Sequence, residues 1–322
     1  PEPKKDTPPK TSPAPIPTTP APATPAPVPV VAPIPSLVPT APPPPSGNAA
    51  LDAAATVLRA ALVNILCYVP VGSALHSISG SGIFVDSKGV ILTNAHIAQY
   101  FLLADRNVSC TIRSGSPAAD RYEASLIYIS PIWLQKNPNV LTQTLPNGNG
   151  EYDFAFLAVS KSATRNSLPD SFPFISLATT PPTTGTPVVI ASYGAQFLAT
   201  SQVQSSLFPT IVFGSIKDVF TFGTNTIDVL ALGGSAAAQE GSSGGGVADA
   251  SGALVGTITT STVTGATDTR SLDAITASYI RAEYASETGS ALDILLSQSA
   301  ATAISNFTPQ LSSLEAIITA NL

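Results

Sequence analysis

The sequence is poor in several residue types, and each shortage excludes a class of protein. Charged residues make up 11% of the 322 residues, the net charge is −6, and the one basic cluster is the pair Lys4-Lys5. Because nucleic-acid binding needs concentrated Lys and Arg, no nucleic-acid partner is expected. No apolar run reaches the roughly 18 residues of a membrane span. Methionine is absent, so we expect the native start to be missing, and a removed N-terminal segment could supply a membrane or wall tether.

Cysteine is equally scarce, with Cys67 and Cys110 the two in the chain. Two cysteines cannot build a disulfide-rich scaffold, but one bridge would close a loop of about 43 residues and contribute about 4 kcal/mol by the chain-entropy estimate. The alternative is two buried free thiols that pack as small apolar groups. Both alternatives stay open, because sequence separation does not test the geometry. No His, Cys or Asp residues cluster at metal-ligand spacing, so neither a metal nor another cofactor is expected.

Proline is abundant but confined, since 19 of the 31 prolines lie in the first 45 residues. Proline removes hydrogen-bond donors, so residues 1–47 are predicted to be a disordered, extended stalk or linker. The remaining composition is that of a globular protein. We expect one β-barrel over residues 48–170 and a second over 171–283. Apolar residues at helical spacing predict a helical tail over 284–322, packed on the second barrel.

Short apolar segments between turn residues predict an all-β fold of two six-stranded antiparallel barrels, with one helix before them. Asn48 is a suitable N-cap for that helix. The first set of strands starts at Ala61 and continues with Gly82–Val85, Val90–Thr93, Val108–Arg113, Tyr122–Ile129 and Phe154–Val159. The second set comprises Pro187–Ser192, Thr210–Phe220, Thr226–Leu232, Gly246–Asp249, Leu254–Thr259 and Leu272–Thr276.

Three motifs carry side chains that could act together in acyl transfer. His96 follows an apolar strand and a small-residue turn, Asp153 precedes an alternating apolar strand, and Ser243 lies in a glycine-rich run. Each motif alone is also typical of a structural histidine, a turn acid or a flexible loop, and His76 is interpreted as structural. The order His, Asp, Ser is that of chymotrypsin-type peptidases. Glycines around a serine allow a tight turn whose N–H groups converge on an oxyanion.

Over roughly residues 49–283 the sequence resembles the trypsin-like serine peptidases of the Deg/HtrA type, which have the chymotrypsin fold. The likeness is carried by Gly80–Val85 with Thr93–His96, by Asp153–Val159, by Gly185–Gly194, by Val212–Ile216, and by Gly241–Val247 with Gly252–Gly256. The PDZ domain that often follows in this family does not fit into the residues after 283.

The resemblance implies a role for each site residue. Ser243 would be the nucleophile, His96 the general base and Asp153 the group that orients it. The backbone N–H groups of Gly241 and Ser243 would form the oxyanion hole. Ala237 would lie at the floor of the specificity pocket, where the lack of an acid indicates a small or medium apolar side chain at the cleavage site. The strand around Thr257 and Thr259 would pair with an extended substrate.

Two positions depart from the family pattern. Ser242 stands where the family has Asn or Asp, so two adjacent serines compete as nucleophile, and the spacing of the glycines selects Ser243. Gly246 stands where the family has Pro, and the freer backbone predicts a flexible loop with an incompletely formed oxyanion hole before substrate binds. The long connection over residues 131–150 is predicted to flank the active site and restrict access.

These features predict a serine endopeptidase that acts on polypeptides in extracytoplasmic protein quality control or processing. The expected location is periplasmic, secreted or on the cell surface, with anchoring possible through a removed segment. Two alternatives remain open. One is a catalytically weak or inactive protease-like binding module, and the other is an esterase that uses the same triad.

Overall fold

The computed structural model of the protein describes residues 47–143, 148–223, 225–262 and 264–320. The predicted stalk over 1–47 lies outside the described residues, except for its last residue, and remains a prediction, as do the proposed domain boundaries. Within the described ranges, no helix is both long and apolar enough to cross a bilayer.

The first half of the fold is a closed six-stranded antiparallel barrel. Its strands are β1 (Leu62–Tyr68), β2 (Ile78–Asp86), β3 (Val90–Thr93), β4 (Ser109–Gly115), β5 (Ala118–Ile129) and β6 (Ala155–Ser162). The order around the barrel is β1-β2-β3-β6-β5-β4, and β1 pairs with β4 to close it. Its apolar residues fill one continuous core that includes Ile65, Leu92 and Phe156, each 0% exposed. At the β2–β3 turn Gly89 has φ +91°, which glycine adopts without steric cost.

The second half is a curled seven-stranded sheet. Its strands are β7 (Pro187–Ser192), β8 (Thr210–Ser215), β9 (Asp218–Phe220), β10 (Val229–Ala231), β11 (Gly246–Asp249), β12 (Leu254–Ser261) and β13 (Leu272–Thr276). The order is β8-β7-β11-β12-β13-β10-β9. The predicted fold class is confirmed. In detail the second half has seven strands rather than six, because the single strand predicted over Thr210–Phe220 is divided between β8 and β9.

Helices flank both halves. They are α1 (Ala49–Ala61), α2 (Ala95–Ala98), α3 (Pro131–Lys136), α4 (Thr200–Ser205), α5 (Ala277–Thr288), α6 (Leu292–Ser297), α7 (Ala300–Phe307) and α8 (Leu311–Thr319). Asn48 caps α1, because its Oδ1 accepts hydrogen bonds from two backbone N–H groups of the first turn. The buried face of α1 packs on β7 and β11. The first helix therefore covers the strand that follows the glycine-rich serine run.

The expected packing of the helical tail on the second barrel is wrong. Helix α7 packs on β5 and β6 of the first barrel, and α8 packs on α3. The physical reason is a set of apolar and aromatic side chains on the outside of the first barrel. The rings of Tyr128 on β5 and Tyr284 on α5 pack edge to face, with their centroids 4.8 Å apart. Phe307 of α7 lies beside them and is 5% exposed.

Candidate active site

His96 and Asp153 come together where β3 ends and β6 begins. The register pairs Thr93 with Ala155, so the residues that follow β3 lie beside those that precede β6. His96 Nδ1 is 2.7 Å from Asp153 Oδ2, and the His96 backbone N–H donates to Asp153 Oδ1 over 3.0 Å. An ionised carboxylate only accepts hydrogen bonds. With Asp153 ionised, Nδ1 is the donor in this contact, and a neutral ring then has its lone pair on Nε2.

The backbone before Asp153 is held in an unusual conformation. Tyr152 has φ +58°, a left-handed conformation that costs energy for a residue with a bulky side chain. The hydroxyl of Tyr279, on α5, accepts a 3.0 Å hydrogen bond from the Tyr152 N–H. Burial raises the pKa of the Tyr279 hydroxyl, so it stays protonated and neutral. Helix α5 thus supports the turn from which Asp153 projects.

A threonine of the second sheet completes the contacts of Asp153. Thr259 Oγ1 donates to Asp153 Oδ2 over 2.8 Å, and the carboxylate is 6% exposed. Three donors therefore hold this buried group, two from His96 and one from β12. The hydroxyl of Thr259 also links the sheet directly to the His96–Asp153 pair of the barrel.

The two adjacent serines occupy different environments. Ser242 is 1% exposed, and its hydroxyl accepts a hydrogen bond from the buried Ser192 hydroxyl at 3.2 Å. Ser243 is partly exposed. A nucleophile needs access to substrate, which Ser242 lacks. The contacts therefore favour Ser243, the serine that the glycine spacing had selected.

Ser81 of β2 fastens the serine run to the first barrel, a function that the sequence reasoning missed. The Ser81 N–H donates to Ser243 O over 2.7 Å, and the Ser81 hydroxyl donates to Gly241 O over 2.8 Å. The Thr93 hydroxyl in turn donates to Ser81 O over 2.7 Å, three residues before His96. Strand β3, which leads to His96, therefore contacts Ser81, the residue that holds the backbone of Ser243. The available signal was a serine between two glycines within an apolar strand.

Two backbone amides of the serine run are free to bind a ligand. The N–H groups of Ser242, Gly244 and Gly245 each donate to a backbone carbonyl. In the part of the chain that the structure describes, the N–H groups of Gly241 and Ser243 have no such acceptor. Both residues are partly exposed. These are the two amides that the sequence pattern assigns to an oxyanion hole.

Within the described ranges, the Ser243 hydroxyl is not hydrogen-bonded to the histidine. Among the described residues, the His96 ring has one hydrogen-bond partner, which is Asp153. Contacts between a nucleophile and its base are often long until substrate binds, so this geometry is compatible with catalysis.

The flexibility expected of the serine run stays a prediction, but Gly246 itself lies in a paired strand. It begins β11, where it pairs with Ala191 on one side and Thr257 on the other. A Cβ atom at this position would approach the side chains of Leu58, Ile83 and Leu254 to within 2.8–3.0 Å. The strand pairing restrains the backbone, and close packing beneath α1 takes the space that a proline ring would need.

The residues predicted to bind substrate have different outcomes. Thr257 is not available for strand addition, because β11 and β13 already pair with it on both sides. Ala237 is 0% exposed and belongs to the core of the second sheet, so a substrate side chain would not touch it without movement of that segment. Within the described ranges, Thr260 and Ser261 are paired with β13 alone, Thr259 lies at a register shift, and no strand pairs with the other edge of this segment.

Cys67 and Cys110 are joined in a disulfide. They are direct partners in the register of β1 and β4, so the bond lies across the seam that closes the first barrel. His76 is exposed in the β1–β2 connection, and its carbonyl accepts a hydrogen bond from the Tyr100 hydroxyl. Among the residues described, no three His, Cys, Asp or Glu side chains form a group able to hold a metal ion.

The long connection between β5 and β6 is partly ordered into helix. Helix α3 buries Trp133 and Leu134 and packs on α8. Lys136 forms a 3.2 Å ion pair with Glu151, two residues before Asp153. Residues 144–147 of the connection lie outside the described residues. Its effect on access to the site stays a prediction.

The fold and these contacts define a trypsin-like peptidase. Residues 80–256 match the family model of the trypsin-like peptidase domain, which is more than half of the chain, and the protein belongs to that family. No curated protein sequence matches the chain. Among solved structures, the chain is similar to the Rv3671c protease of M. tuberculosis. The active form is 22% identical with a TM-score of 0.45, over 85% of this chain and 95% of that chain. The inactive form is 20% identical with a TM-score of 0.46, over 75% and 94% respectively.

Proposed function

We propose that the protein is a serine endopeptidase with Ser243 as nucleophile. His96 Nε2 accepts the proton from Ser243 Oγ while that oxygen attacks the carbonyl carbon of the scissile peptide bond. His96 then gives the proton to the leaving amine, and water repeats the sequence to release the acyl group. Asp153 holds the ring in the required tautomer and stabilises the imidazolium.

The observation that carries this proposal is the His96–Asp153 pair with the Ser243 run fastened to the strand beside it. The 2.7 Å contact between Nδ1 and Oδ2 directs the basic nitrogen of the ring away from the acid. The bond from Ser81 N–H to Ser243 O holds the serine backbone against the same barrel.

The free N–H groups of Gly241 and Ser243 support the oxyanion assignment. Oriented backbone donors stabilise the negative oxygen of the tetrahedral intermediate without reorganisation during the reaction. Each donor removed from such a hole costs roughly 10²–10³ in kcat. Within the described residues the two amides have no backbone acceptor, whereas the N–H groups of Ser242, Gly244 and Gly245 each donate to a backbone carbonyl.

The free edge of β12 favours a peptide over a simple ester. An extended polypeptide can add to the unpaired backbone from Thr259 to Ser261 and form main-chain hydrogen bonds there. A small ester offers no backbone for this edge. Hydrolysis of peptides and esters by the purified protein separates the two activities. Because esters are intrinsically more reactive than amides, the deciding result is peptide hydrolysis itself, and Ser243-dependent ester turnover with no peptide turnover would overturn the endopeptidase assignment.

The decisive experiment is labelling with a fluorophosphonate probe, which reacts with activated serines. We expect the wild-type protein to be labelled and Ser243→Ala to be unlabelled. Ser242→Ala is the matched control and should retain labelling within about threefold, since its hydroxyl faces the interior. An absence of labelling in the folded wild type would instead support the protease-like binding module.

We further propose that the protein acts outside the cytoplasm, in quality control or processing of other proteins. The support is chemical, because a structural disulfide persists in oxidising compartments and is rare in the cytosol. Alkylation of thiols in intact cells, followed by mass spectrometry, should find Cys67 and Cys110 protected until reduction. Full alkylation without reductant would contradict the proposed location.

A further inference from the structure

Arg270 is a buried cation at the edge of the second sheet. It is the one basic residue between Lys217 and Arg281 in the sequence. It lies two residues before β13, at the end of the connection from β12. Arg270 is only 5% exposed, and an arginine is rarely buried to this degree unless it is paired. Its partners therefore indicate why the charge is retained.

The guanidinium group of Arg270 joins three separate segments. Nε and Nη2 donate to Gly265 O over 3.0 and 2.8 Å. Nη1 donates to Ala238 O over 2.8 Å and to Gln196 Oε1 over 2.6 Å. These acceptors belong to the β12–β13 connection, the segment before Ser243, and the β7–β8 connection. We call Gln196, Ala238, Gly265 and Arg270 the Arg270 cluster.

All acceptors in the Arg270 cluster are neutral. Among the ion pairs of the described residues, none includes Arg270. The contrast is Arg113 of the first barrel, which is also buried but pairs with Asp120 at 3.3 Å. Burial of an arginine without a carboxylate costs more than burial of a neutral side chain. What the planar fork of donors supplies in return is a fixed relation between three loops.

Two of these loops lie directly against Gly241. The Ala195 N–H donates to Glu240 O over 2.8 Å. A Cβ atom placed on Gly241 would lie 2.7 Å from Tyr193 O and 3.0 Å from Ala195 N, so the backbones are in close contact. A shift of the β7–β8 connection would therefore displace the Gly241 amide.

The third loop continues from the free edge of β12. Gly265 follows the segment Thr259–Ser261 by four residues, within the same connection to β13. The bond to Gly265 thus reaches toward the edge assigned to substrate, and the bond to Ala238 reaches the segment that leads into the serine run. The Arg270 side chain therefore connects the segment that leads into Ser243 with the connection that follows β12.

We propose that Arg270 is a positioning residue that holds the Gly241 and Ser243 amides in their catalytic arrangement through the three loops of the Arg270 cluster. The inference rests on the proposed peptidase function. Arg270 does not touch substrate in this role. Its removal would disturb the transition state more than the bound substrate, because the oxyanion forms only during the reaction.

The test compares Arg270→Met and Arg270→Lys with Arg281→Met as the matched control. Arg281, on α5, is a partly buried arginine that donates to Leu177 O and to Asp293 of α6. We expect Arg270→Met to lower kcat about 10²-fold, the effect of losing an oxyanion donor, while KM changes less than about threefold. Arg270→Lys should stay at least tenfold below wild type, because an ammonium group cannot bridge three loops. Arg281→Met should keep kcat within about twofold.

Chemical rescue separates positioning from general stability. Methylguanidinium added to Arg270→Ala should restore kcat at least tenfold, with no increase in the midpoint of thermal unfolding that could account for it. The same compound should leave Arg281→Ala unchanged. Rescue that tracks the unfolding midpoint would overturn the proposal, as would an Arg270→Met protein with wild-type kcat. Selective loss of turnover for peptides with an acidic residue at the cleavage site would also overturn it, by making Arg270 a specificity residue.

Hydrogen exchange tests the cluster independently of activity. In Arg270→Met, residues 194–198, 236–240 and 264–266 should exchange faster together, while β2 and β6 stay protected. If the wild-type protein fails to react with the fluorophosphonate probe, the proposed peptidase function is wrong. Hydrogen exchange in the three segments still shows whether Arg270 holds them together. If wild type reacts and exchange in these three segments is unchanged in Arg270→Met, the inference alone is wrong.

Discussion

The histidine half of the candidate site lies in a closed barrel, whereas the serine half lies on a connection between strands of the curled sheet. His96 and Asp153 are held by side-chain and backbone bonds to one another, by Tyr152 and Tyr279, and by Thr259. The serine run is held through its backbone, because Ser81 donates to Ser243 O and Gly244 and Gly245 bond to Ile258 of β12. The difference indicates that the barrel fixes the His96–Asp153 pair, whereas the serine run keeps amides and a hydroxyl available for substrate.

The two halves also differ in their use of glycine. The serine run has glycine at positions 241, 244, 245 and 246, of which Gly241 and Gly244 have positive φ. Asp153 instead follows a tyrosine in a left-handed conformation, supported from α5. Glycine permits close backbone approach at no steric cost. The serine half therefore depends on the absence of side chains, and the histidine half depends on their presence.

Asp153→Asn should give the largest effect and would break the histidine half. An amide can donate to His96 Nδ1, which places the ring in the wrong tautomer, and we expect kcat to fall about 10⁴-fold with little change in KM. Glu151→Gln removes a surface charge two residues away and should stay within about threefold. Steady-state hydrolysis of a peptide checks both. Equal effects of the two variants would mean that Asp153 acts only as a nearby charge.

Removal of the disulfide should affect stability rather than chemistry. Cys67→Ala with Cys110→Ala opens a loop of 43 residues, which costs about 4 kcal/mol by the chain-entropy estimate. The unfolding midpoint should fall by roughly 10 °C. Below the transition, kcat should stay within about twofold, since the seam between β1 and β4 lies away from the triad contacts. A larger loss of kcat than of stability would show that the closed barrel is itself part of the catalytic geometry.

Gly244→Ala should disturb the serine half, with Gly252→Ala as its control. Both glycines have positive φ, +83° and +78°, so each substitution carries the same conformational cost of about 1 kcal/mol. A Cβ atom at Gly252 has open space, whereas at Gly244 it overlaps the Ser81 carbonyl. We expect Gly244→Ala to lose about 3 kcal/mol of stability in total and most activity. Denaturant unfolding measures the loss of stability, and probe labelling measures the loss of activity. Similar results for both glycines would contradict the close contact of the serine run with Ser81.

Local patterns predicted most of the framework correctly. Val90–Thr93, Pro187–Ser192, Gly246–Asp249 and Leu272–Thr276 have the predicted bounds, because each is a short apolar run between turn residues. The strand predicted from Gly82 instead begins at Ile78. After Ile78 its first residues are serine and glycine, and they extend the strand because the Asn64 side chain of β1 donates to Ser79 Oγ and Gly80 O. That contact depends on tertiary structure.

The remaining parts of the site depend on partners that are distant in the chain. Ser81 bonds to Gly241 across 160 residues, and Arg270 bonds to Gln196 across 74. Neither pair leaves a local pattern. The sequence did not predict that α7 packs on the first barrel, because an apolar helix face does not indicate which apolar surface covers it.

Thr259→Val tests the hydrogen bond from a hydroxyl of the sheet to Asp153. It therefore tests how far the two halves act together. The substitution keeps the shape of the side chain but removes the 2.8 Å bond to Oδ2. A hydrogen bond to a charged group contributes about 1.5–3 kcal/mol, so we expect kcat to fall at least tenfold if the bond is needed to orient the carboxylate. Thr259→Ser keeps the hydroxyl and should stay within about threefold of wild type. If Thr259→Val matches wild type in kcat while Asp153→Asn is inactive, the barrel alone orients the acid, and the sheet contributes only the serine and its amides.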